Sequence, residues 1–152
     1  MKKRTFLGTV AAGALLSVTP TSSRAAAAPG VTETEITIGQ SLPYSGFGKS
    51  ETGYMRMVNE RGGIRGRKIN LISLDDSYLP PKAVEQTRKL VEQEGVFFNF
   101  STIGTASNVA IRKYLNDKKV AQIFAASGLV SFGDHKRYPW TIAWQPPFEI
   151  EG

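Results

Sequence analysis

Cysteine is absent from the 152 residues, and histidine occurs once, at His135. Without thiols there is no disulfide, no cysteine-based metal site, no thiol nucleophile and no cysteine through which a lipid could be attached. Long hydrophobic runs are also lacking. The main apolar run, Phe6 to Val18, falls short of the roughly 20 residues that a membrane-spanning helix needs. The charge of +6 is less one-sided than it looks. Four of the positive residues, Lys2, Lys3, Arg4 and Arg24, precede the first acid, Glu33, and the rest of the chain carries only +2. No clustered basic face argues for a nucleic-acid partner.

Enzyme signatures are missing as well. No Gly-x-Ser-x-Gly elbow surrounds Ser45 or Ser127, and no Gly-x-Gly-x-x-Gly comes after the first apolar segment. Gly48-Lys49-Ser50 lacks the upstream glycine of a phosphate-binding loop. His135 lies in the polar stretch Gly133-Asp134-His135-Lys136-Arg137, which reads as a surface turn rather than a catalytic base. Asp75-Asp76-Ser77 before Pro80-Pro81 reads as turn and capping chemistry rather than as a metal pair. These features predict a protein that is not an enzyme and carries no cofactor or metal.

What is present first is a leader. Lys2-Lys3-Arg4, the apolar run and Ala25-Ala26-Ala27-Ala28 have the three-part layout of a secretory signal peptide, with cleavage after Ala25 or Ala27. The expected division is a signal peptide over 1–28 and one domain over 29–152, placed in an extracytoplasmic, periplasmic compartment. The domain alternates strands and helices. Strands are expected at Glu35–Ser41, Lys68–Leu74, Val96–Phe100, Val120–Ala125 and Trp140–Trp144. Helices are expected at Glu51–Arg61, with Tyr54, Met55 and Val58 buried, from Pro80 to Glu94, and at Thr105–Asp117. Gly62-Gly63 and Gly95 stop the first two.

Such alternation predicts an α/β fold, an open parallel sheet of Rossmann-like character with helices on both faces. Ligands of these sheets bind beyond the carboxyl ends of the strands, where strand order reverses. That points to the loops Leu42–Lys49, Ser101–Thr105 and Ala126–Val130. All three are rich in hydroxyls and glycine, and the N–H groups near Thr105 and Ser107 would open a helix, a setting suited to a carboxylate. The same residues also serve as ordinary caps and turns.

Three stretches carry a resemblance. Ile36-Thr37-Ile38-Gly39 with Leu42-Pro43-Tyr44-Ser45-Gly46, then Asn59-Glu60-Arg61-Gly62-Gly63-Ile64-Arg65-Gly66-Arg67-Lys68-Ile69, then Asp75-Asp76-Ser77-Tyr78-Leu79-Pro80-Pro81 occur in this order. Together they resemble the branched-chain amino acid-binding proteins of ABC transporters, which are type I periplasmic binding proteins. The resemblance implies the amino-terminal lobe of a two-lobed receptor that closes on a small amino acid, carboxylate or amide and then docks on a membrane permease. It assigns ligand contacts to Ser101, Thr102 and Thr105, to Ala126, Ser127 and Gly128, and to Tyr44, Ser45 and Phe47. The second lobe lies outside this sequence. A ligand-sensing receptor for amides, urea or aromatic acids on the same fold is the alternative.

Overall fold

The structure, a computed structural model, describes residues 28–43 and 47–151. The leader-like segment before Ala28 lies outside the described residues, as do Tyr44, Ser45 and Gly46 and the side chain of Phe47. Five parallel strands form one sheet. They are β1 (Glu35–Leu42), β2 (Lys68–Asp75), β3 (Phe98–Phe100), β4 (Ala121–Ala125) and β5 (Thr141–Ala143), in the order β2-β1-β3-β4-β5. The chain steps outward from β1 to β2 and then back across to β3. The reversal point of the sheet therefore lies between β1 and β3.

Helices α1 (Phe47–Glu60), α2 (Pro80–Glu92) and α3 (Thr105–Asp117) connect these strands, and a short α4 (Phe148–Glu151) comes after β5. Successive strand residues face opposite sides, which places the helices. A Cβ on Gly39 of β1 would come within 2.9 Å of Leu90 of α2, whereas one on Gly48 of α1 would come within 3.0 Å of Leu42. Residues 39 and 42 point to opposite faces, so α1 covers one side and α2 the other. Helix α3 packs beside α2 around Ala83, Ile111 and Leu115, all essentially inaccessible to water.

The first helix departs from expectation. It begins at Phe47, four residues before the expected Glu51, and takes the end of the expected Leu42–Lys49 loop into its first turn. Gly48 allows this turn to lie close against β1, and the inward stripe becomes Gly48, Glu51, Met55 and Val58. Tyr54 falls outside that stripe and is 59% exposed, contrary to its expected burial. At its other end the helix closes as its glycines predict, with Gly62 at φ +99°. There the Asn59 side chain donates to the Ile69 carbonyl at 2.8 Å and accepts from the Ile69 N–H at 2.7 Å. Pro80 and Pro81 open α2, as expected for residues without a donor to waste in a first turn.

Beneath α3 the sheet is polar. Asn99, Gln122 and Thr141 occupy adjacent register positions on β3, β4 and β5, and all are buried. The Asn108 amide of α3 donates to the carbonyls of Thr102 (2.7 Å) and Gly104 (3.0 Å), and its oxygen accepts from Gln122 at 2.8 Å. The Thr141 hydroxyl donates to Gln122 in turn, and Asn116 donates to Thr141. The opposite face of these strands carries Phe98, Phe100, Ile123 and Ile142, with the Phe124 ring set edge-on to Phe100.

Removing the Asn108 amide takes one bond each from the Thr102 and Gly104 carbonyls, which keep only their backbone partners, and leaves the Gln122 amide with the longer bond to the Asn108 carbonyl. Asn108→Ala is expected to lower unfolding stability by about 2–4 kcal/mol. Urea denaturation followed by circular dichroism measures this, and a loss below about 0.5 kcal/mol would show that the amide is not a strut.

Candidate functional site

Beyond the carboxyl ends of β1, β3 and β4 lies an open cleft of about 540 Å³. It sits at the reversal point of the sheet, where open α/β sheets place their ligands. Four loops and three helices line it. The β3–α3 connection supplies Ser101, Ile103 and Gly104, α3 opens with Thr105, and Ala126 comes just after β4. Glu51 comes from α1, Tyr78 from the turn before α2, and Trp144, Gln145 and Phe148 from the segment after β5.

The loops are held in shape by unusual backbone. Ser101 adopts φ +53°, and Gly104 adopts φ +99° as the residue preceding α3. A Cβ at Gly104 would lie 2.9 Å from the Tyr78 ring, so glycine is what lets that ring rest on the loop. Tyr78 is placed by Asp76, which is completely buried. Its carboxylate accepts from the Ser41 hydroxyl at 2.8 Å and from the Tyr78 N–H at 2.9 Å. Asp75 likewise accepts from the Ser77 N–H at 2.9 Å, a bond that holds its carboxyl below the usual range. The Asp75-Asp76 pair thus does turn chemistry, as expected. Among the described residues no three acids or histidines gather as a metal site. His135 stands on an exposed turn.

The residues expected to touch a ligand are divided by the structure. Ser101, Thr105 and Ala126 line the cleft together. Thr102 is turned inward: it is buried, and its hydroxyl donates to the Asn99 oxygen at 2.7 Å. Ser127 is buried too. Its hydroxyl lies 2.8 Å from that of Thr105 and accepts from the Leu129 N–H at 3.2 Å, so it reaches the cleft through Thr105. Gly128 accepts from the Phe148 N–H at 2.8 Å, and a Cβ there would strike the Phe148 ring. Its glycine serves close packing of α4. Ser127 and Gly128 instead line a smaller neighbouring recess with Phe132 and Pro147. Tyr44 and Ser45 lie outside the described residues, and Phe47 is known only as the first backbone position of α1.

Sequence reasoning missed the aromatic wall and the acid. Tyr78, Trp144 and Phe148 stand half exposed around the mouth, at 58%, 59% and 47%. Among the described residues, Glu51 is the one charged residue lining the cleft. Burial pushes its carboxyl above the usual range, while hydrogen bonds from Ser101 and Gln40 pull the other way. The cleft is also lined by the start of α3, whose N–H groups have no side-chain cap. Such a turn leaves donors free and favours an anion or a carbonyl oxygen. The cleft can therefore take a small ligand with an oxygen acceptor at α3, an apolar body against the rings and a donor toward Glu51.

The raised Glu51 carboxyl has a consequence for stability. Above the unfolded value of 4.5, the folded chain holds more protons than the unfolded one. Stability from this group is therefore full below that value and is lost as pH rises through the folded value. Glu51→Gln is expected to be the more stable protein at neutral pH, with the gap closing in acid. Thermal melts at several pH values test this, and a gap independent of pH would refute it.

A family model described as periplasmic binding protein matches residues 35–151. No curated protein sequence matches the chain. Among solved structures, a possible leucine/isoleucine/valine-binding protein from Rhodopirellula baltica superposes with a TM-score of 0.63 at 17% identity, covering 78% of this chain and 33% of that one. A branched-chain amino acid transporter substrate-binding protein from Streptococcus pneumoniae, in complex with isoleucine, gives 0.64 at 20% identity over 75% and 34%. An ABC transporter solute-binding protein from Rhodopseudomonas palustris, in complex with 3,4-dihydroxybenzoic acid, gives 0.55 at 20% identity over 72% and 31%. At such identities the likeness is one of fold, and this chain spans about a third of the length of those proteins. With a family model matched across nearly all the described residues and a parallel lobe built on the same plan, the chain belongs to the periplasmic binding protein family.

Proposed function

We propose that this chain is a ligand-binding lobe of an extracytoplasmic receptor serving an ABC importer, and that it takes branched-chain amino acids or related small carboxylates and amides. The observation that carries this is the cleft itself. The Ser101 and Thr105 hydroxyls and the uncapped first turn of α3 face an apolar wall at the sheet's reversal point. The N–H groups of that turn are neutral donors suited to an oxygen-bearing ligand, while the Ser101 hydroxyl already donates to Glu51 and the Thr105 hydroxyl shares a hydrogen bond with Ser127. Their placement matches the loops that the family resemblance assigns. The leader over 1–28 agrees with export, and the partner would be a membrane permease that meets the liganded, closed receptor.

A second ligand class is supported by one feature. Tyr78, Trp144 and Phe148 give the cleft three rings, which suits a flat aromatic acid of the kind bound by the Rhodopseudomonas palustris relative. The alternative of a ligand sensor for amides, urea or aromatic acids rests on the same wall.

One lobe alone leaves its ligand open to water, and hydrogen bonds that compete with solvent contribute little. Amide NMR of the chain with leucine and with 3,4-dihydroxybenzoate tests the site. The expected result is saturable, millimolar binding that shifts the amides of 101–105 and 126–128 and is weakened by Thr105→Val. Shifts scattered over other faces would reject the cleft as the site. Micromolar binding in calorimetry would show that no second lobe is needed.

A further inference from the structure

Glu51 is poorly explained by folding alone. It stands one turn into α1, lines the cleft, and is the sole charged residue doing so among the described residues. One of its oxygens, Oε2, is buried and has no hydrogen-bond partner. The groups that do face the carboxyl are neutral: the Ser101 hydroxyl from the β3–α3 loop and the Gln40 amide from β1. That amide is shared with Ser73, whose hydroxyl it reaches at 2.9 Å. The nearest cations on its own helix, Lys49 and Arg56, line a different recess with Gly48, Thr52 and Gly53. Among the described residues, Tyr78 is the one other titratable residue on the cleft wall, and an acid without a countercharge shares the cleft with a helix start that favours negative charge.

This pairing gives the cleft two ends of opposite preference. Any ligand that satisfies the α3 end with a carboxylate brings a second negative charge near Glu51, and like charges in a partly desolvated site repel. A nitrogen carried by the same ligand removes the conflict, because it donates to the carboxylate in a charge-assisted bond.

Resting on the cleft as the ligand site, we propose that Glu51 is its specificity-determining residue. It accepts the ammonium or amide nitrogen of the ligand, while the first turn of α3 and Thr105 hold the oxygen end. Ligands without any donor group for Glu51 are disfavoured, simple monocarboxylates above all. Zwitterions and amides are preferred, an aromatic acid is admitted through its phenol hydroxyls, and simple monocarboxylates bind more tightly once Glu51 is protonated.

The test uses three probes of one carbon skeleton with the full chain: leucine, 3-methylbutylammonium without a carboxylate, and 4-methylpentanoate without a nitrogen. Amide NMR reports occupancy of the cleft, and the Glu51 side-chain carboxyl carbon reports its titration. At neutral pH, leucine is expected to bind about tenfold more tightly than 4-methylpentanoate. The ammonium probe should lower the Glu51 titration midpoint and the carboxylate probe should raise it. Glu51→Gln should bring leucine and 4-methylpentanoate to near equality by strengthening the second. Should the variant not fold, the wild-type midpoints decide the matter alone. Probes that shift the cleft amides without moving the Glu51 titration overturn the selector role and leave the cleft intact as a ligand site. Probes that shift no cleft amide at all overturn both.

Discussion

The Asn108 amide is the contact on which the cleft depends. It emerges from the first turn of α3 and turns down toward the sheet, where it takes the carbonyls of Thr102 and Gly104 and meets Gln122. One side chain thereby ties the β3–α3 loop to the start of β4. The same network continues to Thr141 and Asn116, and the Trp140 N–H donates to Asn116 at 2.9 Å, so β5 is registered against α3 as well. A buried polar ladder is costly unless its members are paired. Here most are, although the Asn99 amide nitrogen is left without a partner. Because a polar ladder has one satisfying arrangement, it fixes the loops more narrowly than apolar packing would.

A second anchor works from the other side of the reversal point. Buried Asp76 joins β1 to the turn before α2 through Ser41 and places Tyr78 against Gly104. Arg112 then fixes the far edge. It is buried and pairs with no acid among the described residues, donates to the Ser131 carbonyl at 2.8 Å and lies over the rings of Phe132 and Tyr138. Cation–π contact of this kind replaces a countercharge when the guanidinium is desolvated. The short turn at Val130–Gly133 is in this way held to α3, and the loop carrying Ala126, Ser127 and Gly128 is closed off at its end.

Much of the fold was legible because its strands are apolar and its helices are punctuated. Gly62, Pro80-Pro81 and Gly95 mark boundaries that single residues can encode. The start of α1 was not legible, since Gly48, Lys49 and Ser50 carry no apolar periodicity, and it is close approach to Leu42 that draws them into a helix. The polar ladder was equally hidden: Asn99 and Gln122 interrupt strands that otherwise read as hydrophobic, and only pairing across the sheet explains them. At the site, hydroxyls in loops were visible, but which of them face outward was not. Thr102 and Ser101 are neighbours, and a left-handed Ser101 sends one to the cleft and the other to the core. Glu51 entered only as a helix boundary, because nothing local reveals that its turn abuts Ser101.

Both tryptophans of the chain, Trp140 and Trp144, flank β5, at 41% and 59% exposure. The second stands on the cleft wall and the first does not. The protein therefore carries its own optical gauge. Emission from the folded state should be shared between two partly hydrated indoles. A molecule entering the cleft dries one of them and leaves the other as an internal reference, so filling of the site can be followed by colour without attaching a dye.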